Sequence, residues 1–340
     1  MDLNEFDYHL PSGLIAQKPI SPRDACRLMV LNRKNRTIQH QHFFDLGDFL
    51  QTGDVLVFNN SKVLPARLLF QKDQKEVELF LLRQIRDGEW LAIGKPGKIL
   101  REGRSFHIAK NLSFTLVKVL PDGQRHVKFS LQGRAFDQAL EQLGLPPFPP
   151  YIKTPKATFD DYQTIYAKHP GSVAAPTAGL HFTDRLLKKL YVKGIQCEFV
   201  TLHVGLGTFL PVKTHLVEDH IMHQELFHMD AATAERLTKA FREGRRIFAV
   251  GTTSVRVLET AFDGKKSFFP GIRDTALYIY PGYEWKCVQG LITNFHLPKS
   301  TLLLMVCSFA GQEFVLHAYR EAIQKKYRFY SFGDAMLILP

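Results

Sequence analysis

Histidine is the side chain whose charge changes near neutral pH, and its densest run here is His215, His220, His223 and His228, with Glu225 among them. A metal could be held by His220, His223 and Glu225. However, the chain has no HExxH and no paired Cys/His spacing, and two histidines three apart are common on a helical turn without a metal. Acid–base or structural work is the better reading, and no metal is expected.

Four other segments carry groups that could bind or react. In Gly251-Thr252-Thr253-Ser254, small hydroxyl residues stand at the start of an expected helix over Val255 to Ala261, where N–H groups are left for an anion. Arg256, in the first turn, could take a carboxylate or phosphate with two hydrogen bonds, or could sit in a structural ion pair. Thr293-Asn294-Phe295-His296-Leu297-Pro298 places His296 near Asn294, followed by Ser300 as an expected helix cap. Ala174 to Phe182 contains Thr177 and His181, with Thr183 expected to cap the next helix. His203-Val204-Gly205-Leu206-Gly207-Thr208 offers glycines that allow close backbone approach to a ligand, although the dinucleotide spacing GxGxxG is missing. Loops from such distant parts of the chain suggest one composite site.

The elements that would position them can be read from hydropathy. Asp54 to Phe58 and Ile247 to Val250 are buried strands that end in polar turns, the first in Asn59-Asn60-Ser61-Lys62. From Ala178 onward strands and helices alternate. The fold class is therefore α/β in a mixed α+β setting, with ligands expected beyond the carboxyl ends of the strands. Between Leu68 and Gly133 the pattern changes to short strands, Val77–Leu82, Trp90–Ile93, Ser105–Ile108, Phe114–Val119 and His126–Leu131. Asp87-Gly88, Pro96-Gly97, Glu102-Gly103 and Asp122-Gly123 separate them as turns. This reads as a small β-barrel, residues 68–144, inserted into a catalytic domain made of 1–67 and 145–340. Seven prolines in 144–176, with Phe148, Tyr151, Phe159, Tyr162 and Tyr166, mark a long but ordered connection.

With 44 Lys and Arg against 33 Asp and Glu, the net charge of +11 favours a polyanionic partner. Lys95, Lys98, Arg101 and Arg104 fall in one stretch of the insert and are candidate RNA contacts, as is Arg23. Four scattered cysteines fit a reducing compartment, and no signal peptide or membrane span is expected, so the cytoplasm is the expected location.

Taken in order, these segments resemble the S-adenosylmethionine:tRNA ribosyltransferase-isomerase family of queuosine biosynthesis. The resemblance rests on Phe6-Asp7-Tyr8-His9-Leu10-Pro11, Phe58-Asn59-Asn60-Ser61-Lys62-Val63, Tyr162-Gln163-Thr164-Ile165-Tyr166 and Val173 to Phe182. It continues through His203 to Phe209, Met222-His223-Gln224-Glu225, Val250 to Arg256, Thr293 to Pro298 and Tyr330 to Met336. Three positions depart from the family pattern: Phe148, Leu210 and Gln289.

The resemblance implies an α/β domain carrying an inserted barrel. It implies transfer and isomerisation of the ribosyl group of S-adenosylmethionine onto 7-aminomethyl-7-deazaguanine at the tRNA wobble position. Epoxyqueuosine forms, adenine and methionine leave, and no metal or redox cofactor is needed. On that basis His203, His223, Glu225 and His296 are the candidate catalytic residues. Gly251, Thr252, Thr253, Ser254, Arg256, Gly207 and Thr208 would bind the donor, while Asn59, Asn60, Ser61, Lys62, Tyr151, Thr177, His181 and Asn294 would bind substrate. The chain is expected to act as a monomer. Two rivals are an RNA methyltransferase, which should carry the missing Gly-rich fingerprint, and a non-catalytic RNA-binding protein.

Overall fold

The computed structural model describes residues 1–153, 157–205, 212 and 214–340. Its main sheet has nine strands. In spatial order they are Gly271–Thr275, Glu225–Met229, Gln196–Leu202, Val55–Asn59, Ile247–Val250, Gly290–Asn294, Ala335–Leu339, Arg27–Asn32 and Thr37–His42. The four from Gln196–Leu202 to Gly290–Asn294 run parallel to one another, and the flanking strands mix directions. A parallel strand is covered on both faces and so shows a continuous apolar run. Val55 and Val57 enter the core beneath helices Ala231–Arg242, Thr252–Ala261, Thr301–Ala310 and Gln312–Gln324. Leu56 and Phe58 enter the opposite core with helix Asp184–Val192 and the short 3-10 helix Phe43–Phe49.

Two helix starts follow the expected chemistry. Thr183 Oγ1 accepts from the N–H of Leu186 at 3.3 Å, and Ser300 Oγ accepts from the N–H of Leu303 at 3.2 Å. The helix after Gly251 behaves differently: it begins at Thr252, so the hydroxyl residues lie inside its first turn and Gly251, at φ +87, is the cap.

The second sheet has six antiparallel strands in the order Arg67–Lys72, Lys75–Arg86, Glu89–Lys95, Arg125–Phe129, Leu112–Val119 and Ser105–Ala109. Its outer strands curl together, with Phe70 packed 6.1 Å from Phe106 and 5.7 Å from Phe114 between ring centroids. This is the barrel anticipated from the turn pattern, nearly closed around its own apolar core. The first strand and the helix Gly133–Leu143 add to the expected elements; Phe136 of that helix plugs the barrel 4.7 Å from Phe129.

The proline-rich connection is ordered over its described residues because its aromatics build a small core of their own. Phe148 and Tyr162 pack there with Phe332. Gln163 ties the connection to the short strand Ser61–Val63: its amide donates to Val63 O at 2.8 Å, and its carbonyl accepts from Val63 N at 3.0 Å. Among the described residues no single helix is long and apolar enough to cross a membrane. The apolar pair Thr301–Ala310 and Gln312–Gln324 is bent by 114° and packs into the core under the sheet.

Candidate functional site

The four parallel strands end at Leu202, Asn59, Val250 and Asn294, and each exit leads directly into a segment singled out in the sequence. At the first exit Asn59 clamps two strand ends. Its amide donates to Leu202 O at 3.0 Å, and its carbonyl oxygen accepts from the N–H groups of Leu202 and Ser61. Asn60 accepts from Thr201 Oγ1 at 2.7 Å. Both ends of the Asn59 amide and the carbonyl oxygen of Asn60 are thus spent on positioning, and Lys62 is exposed. What they position is Ser61, whose Oγ lies 2.8 Å from His203 Nδ1. Gly171, at φ +144, backs the imidazole so closely that a Cβ there would meet its Cε1 at 2.8 Å. Burial, with His169 nearby, holds the His203 pKa below its ordinary value, so the ring is neutral at physiological pH.

His203, His223 and Glu225 line a cleft of about 1080 Å³ between the main sheet and the barrel. Its barrel wall includes Arg83, Ile85, Arg86 and Trp90, none of which sequence reasoning had singled out. Neighbouring residues separate two compartments: Val204 lines a second, narrow cleft of about 40 Å³, while His203 and Gly205 line the large one. The narrow cleft is bordered by Gly251, Thr252 and Thr253 on one side and by Asn294 and His296 on the other.

Arg256 does not offer its guanidinium to this cleft. It is almost fully buried, forms an ion pair with Glu225, and donates to Thr275 O at 2.9 Å, Leu277 O at 3.2 Å and His223 O at 3.3 Å. Of the two readings of Arg256, the structure favours the ion pair over a carboxylate-binding arm. Desolvation lowers its pKa, and Glu225 opposes that shift. Glu225 also accepts from the N–H of Gly205 at 2.9 Å, which anchors the start of the Gly-Leu-Gly loop. His223 is exposed.

The Gly251 turn is better suited to an anion. A helix leaves its first N–H groups without internal partners, and Thr253 Oγ1, also buried here, has no hydrogen-bond partner among the described residues. Ser254 Oγ, by contrast, donates back to Val250 O at 2.9 Å.

Across the narrow cleft, His296 Nε2 meets Thr293 Oγ1 at 2.8 Å, and burial pushes the His296 pKa down to about 3. His181 is similarly depressed to about 3, by burial first and then by Arg23 and Arg328. Being neutral, its Nε2 accepts from Asn294 Nδ2 at 2.9 Å while Nδ1 faces Cys26 Sγ at 3.2 Å. Asn294 Oδ1 in turn accepts from Thr177 Oγ1 at 2.9 Å. Thr177, Asn294 and His181 therefore form a fixed relay in which only neutral partners take part. Tyr151 packs on Tyr330 with centroids 4.8 Å apart and pairs with Ser331 Oγ at 2.6 Å, and burial raises its pKa to about 12.

Arg23 is largely committed to the loop at 160–163, donating to Asp160 O and Gln163 O at 2.8 Å each. Lys95, Lys98, Arg101 and Arg104 are exposed on the barrel. Gly207, Thr208 and Leu210 lie outside the described residues. The histidine-rich run is not helical: His220 rests against Tyr278 at 5.3 Å and His215 approaches Asp2 at 3.8 Å. Among the described residues no three His, Cys, Asp or Glu side chains are grouped to hold a metal. Gln289, one of the departures, accepts from Ile247 N at 2.8 Å and so has a structural role.

A parallel α/β core meets a six-stranded β-barrel across a shared cleft. Residues 3–338 match the model of the queuosine biosynthesis protein family, and the chain belongs to that family. Among solved structures it is similar to the S-adenosylmethionine tRNA ribosyltransferase of Thermotoga maritima. The two are 40% identical, the match covers 98% of this chain and 100% of that one, and the TM-score is 0.58.

Proposed function

We propose that this chain is an enzyme that transfers and isomerises the ribosyl group of S-adenosylmethionine onto tRNA, the acceptor being 7-aminomethyl-7-deazaguanine at the wobble position. The observation that carries this reading is the end-to-end likeness, at 40% identity, to a tRNA ribosyltransferase. The cleft geometry supports it. A narrow compartment suits the small charged end of the donor, and it adjoins a larger one with room for sugar and base.

The donor's sulfonium acidifies the adjacent sugar carbon, and the reaction releases adenine and methionine as an epoxide closes. The chain must supply a base, a proton donor and groups that take a carboxylate. For the carboxylate we assign the first-turn N–H groups of Thr252, Thr253 and Ser254, with Thr253 Oγ1 as a further donor. His203, neutral and oriented by Ser61, is the best-placed base on the large cleft. Glu225 is held by Arg256 and fixes the backbone of Gly205 at the large cleft. His296, with its pKa near 3, stays neutral and serves as a hydrogen-bonding group rather than an acid.

The proposal places the insert at 68–144, between catalytic segments 1–67 and 145–340, and has the enzyme act as a monomer in the cytoplasm. Incubation of the protein with donor and precursor-bearing tRNA tests the activity. Free adenine is expected. Release of S-adenosylhomocysteine would identify a methyltransferase, and an unaltered anticodon nucleoside by mass spectrometry would leave only an RNA binder.

A further inference from the structure

The long barrel strand Lys75–Arg86 breaks its own alternation. Up to Leu81 it pairs residue for residue with Glu89–Lys95. Leu82 and Ile85 then drop out of register, leaving Arg83 opposite Leu91, Gln84 opposite Trp90 and Arg86 opposite Glu89. A β-bulge re-aims the side chains that follow it. Two bulges in five residues leave Arg83, Gln84, Ile85 and Arg86 exposed in succession, where a regular strand would bury every second one. All four line the large cleft whose other wall carries His203 and Glu225.

The chemistry of this wall is mixed in a specific way. Arg86 is 72% exposed yet held at 2.9 Å by the buried carboxylate of Glu89, which leaves most of its guanidinium fork outward. Arg83 has no ion-pair partner among the described residues. Between them Ile85 is 45% exposed, and Ile221, on the sheet side of the same cleft, is 86% exposed. Two acids also line the cleft; Asp87 is occupied by the N–H of Gly133 at 2.9 Å, and Asp137 is exposed.

We propose that this doubly bulged strand is the wall on which a single-stranded loop of the RNA substrate lies, in addition to the basic stretch 95–104. Arg83 and Arg86 would take backbone phosphates as forked donors, and Ile85 and Ile221 would close on an unstacked base turned toward His203. The inference rests on the tRNA-modifying reading and adds to it the surface that presents the base.

The test is equilibrium binding of the precursor-bearing tRNA to the full chain over a salt series, with adenine release followed in parallel. The double variant Arg83→Ser/Arg86→Ser is expected to reduce the slope of log K against log salt by about 1.4 to 1.8, since two phosphate contacts are removed. It should raise the KM for tRNA roughly tenfold with kcat kept at saturation, because exposed surface contacts steer and hold the substrate without entering the chemistry. Ile85→Ser should weaken binding by about fivefold with the slope unaltered, which separates apolar contact from charge. Lys239→Ser, on the exposed face of helix Ala231–Arg242, is the control and should bind as wild type. A wild-type slope for the double variant overturns the proposal while leaving the enzyme reading intact. If wild-type protein neither binds the tRNA nor releases adenine, both fall.

Discussion

Replacing Arg256 by Ala separates two accounts of the donor end of the site. The guanidinium is joined to the Glu225 carboxylate and to the carbonyls of Thr275, Leu277 and His223, with only 3% and 5% of the two side chains exposed. Breaking a buried pair from one side leaves the other charge without compensation, which costs about 3–5 kcal/mol. Against the roughly 5–15 kcal/mol that holds a typical domain folded, that loss is severe. Arg256→Lys keeps the charge but not the fork, and should cost only about 1–3 kcal/mol. Urea unfolding reads this out in a useful way, because the half-buried Trp285 packs against the main core, 4.5 Å from Phe309, while Trp90 lies in the barrel. In a Trp90→Phe background, fluorescence reports the main sheet alone. The expected result is a large drop in the urea midpoint for Arg256→Ala and a small one for Arg256→Lys. A wild-type midpoint with donor affinity lost by calorimetry would refute the structural account and return Arg256 to the carboxylate.

Further predictions concern the histidines and the narrow cleft. His181 and His296 have folded pKa values near 3 against an ordinary value of 6.5. The unfolded chain therefore binds more protons between those limits. Stability should be fully present above pH about 6.5 and fall as pH drops toward 3, by up to about 1.4 kcal/mol per pH unit for each ring. Urea titrations from neutral to acid check this, and His296→Gln should flatten the dependence; an equal slope would show that the ring is not the source. Thr253→Val removes a hydroxyl that has no partner among the described residues, so it should leave stability unchanged and raise the KM for the donor about tenfold. An unaltered KM would remove Thr253 from donor binding. Gly171→Ala forces a methyl against the His203 ring and away from a backbone that only glycine adopts easily. Activity should fall roughly 10- to 100-fold through misplacement of the imidazole, and His203 ring chemical shifts that stay put would refute that route.

Much of the scaffold was legible because local signals and tertiary context agreed. The run Asp54 to Phe58 is apolar because both faces of a central parallel strand are covered, and the barrel strands followed from their Asp-Gly and Pro-Gly turns. The exits at Asn59 and Gly251 were legible as polar turns after apolar runs, and the loops at His203 and Asn294 as candidate junctions of the same composite site. What could not be read was how each side chain is employed. Arg256 is silenced by Glu225, 31 residues earlier; the pairing exists only because strand Glu225–Met229 lies beside Gly271–Thr275. Asn59 looks like a sugar reader until the Leu202 backbone takes both ends of its amide. The barrel wall of the cleft was hidden for a similar reason, since a bulge changes facing without changing composition.

The two crossings into and out of the barrel lie side by side. Arg67 and Leu145 exchange hydrogen bonds at 2.7 and 3.3 Å, and Gly144 sits so near Pro65 that a Cβ would come within 2.0 Å of its carbonyl oxygen. The chain thus enters and leaves the barrel through a doorway one residue pair wide, so the order of the parallel strands on either side is set independently of how long the excursion between them is.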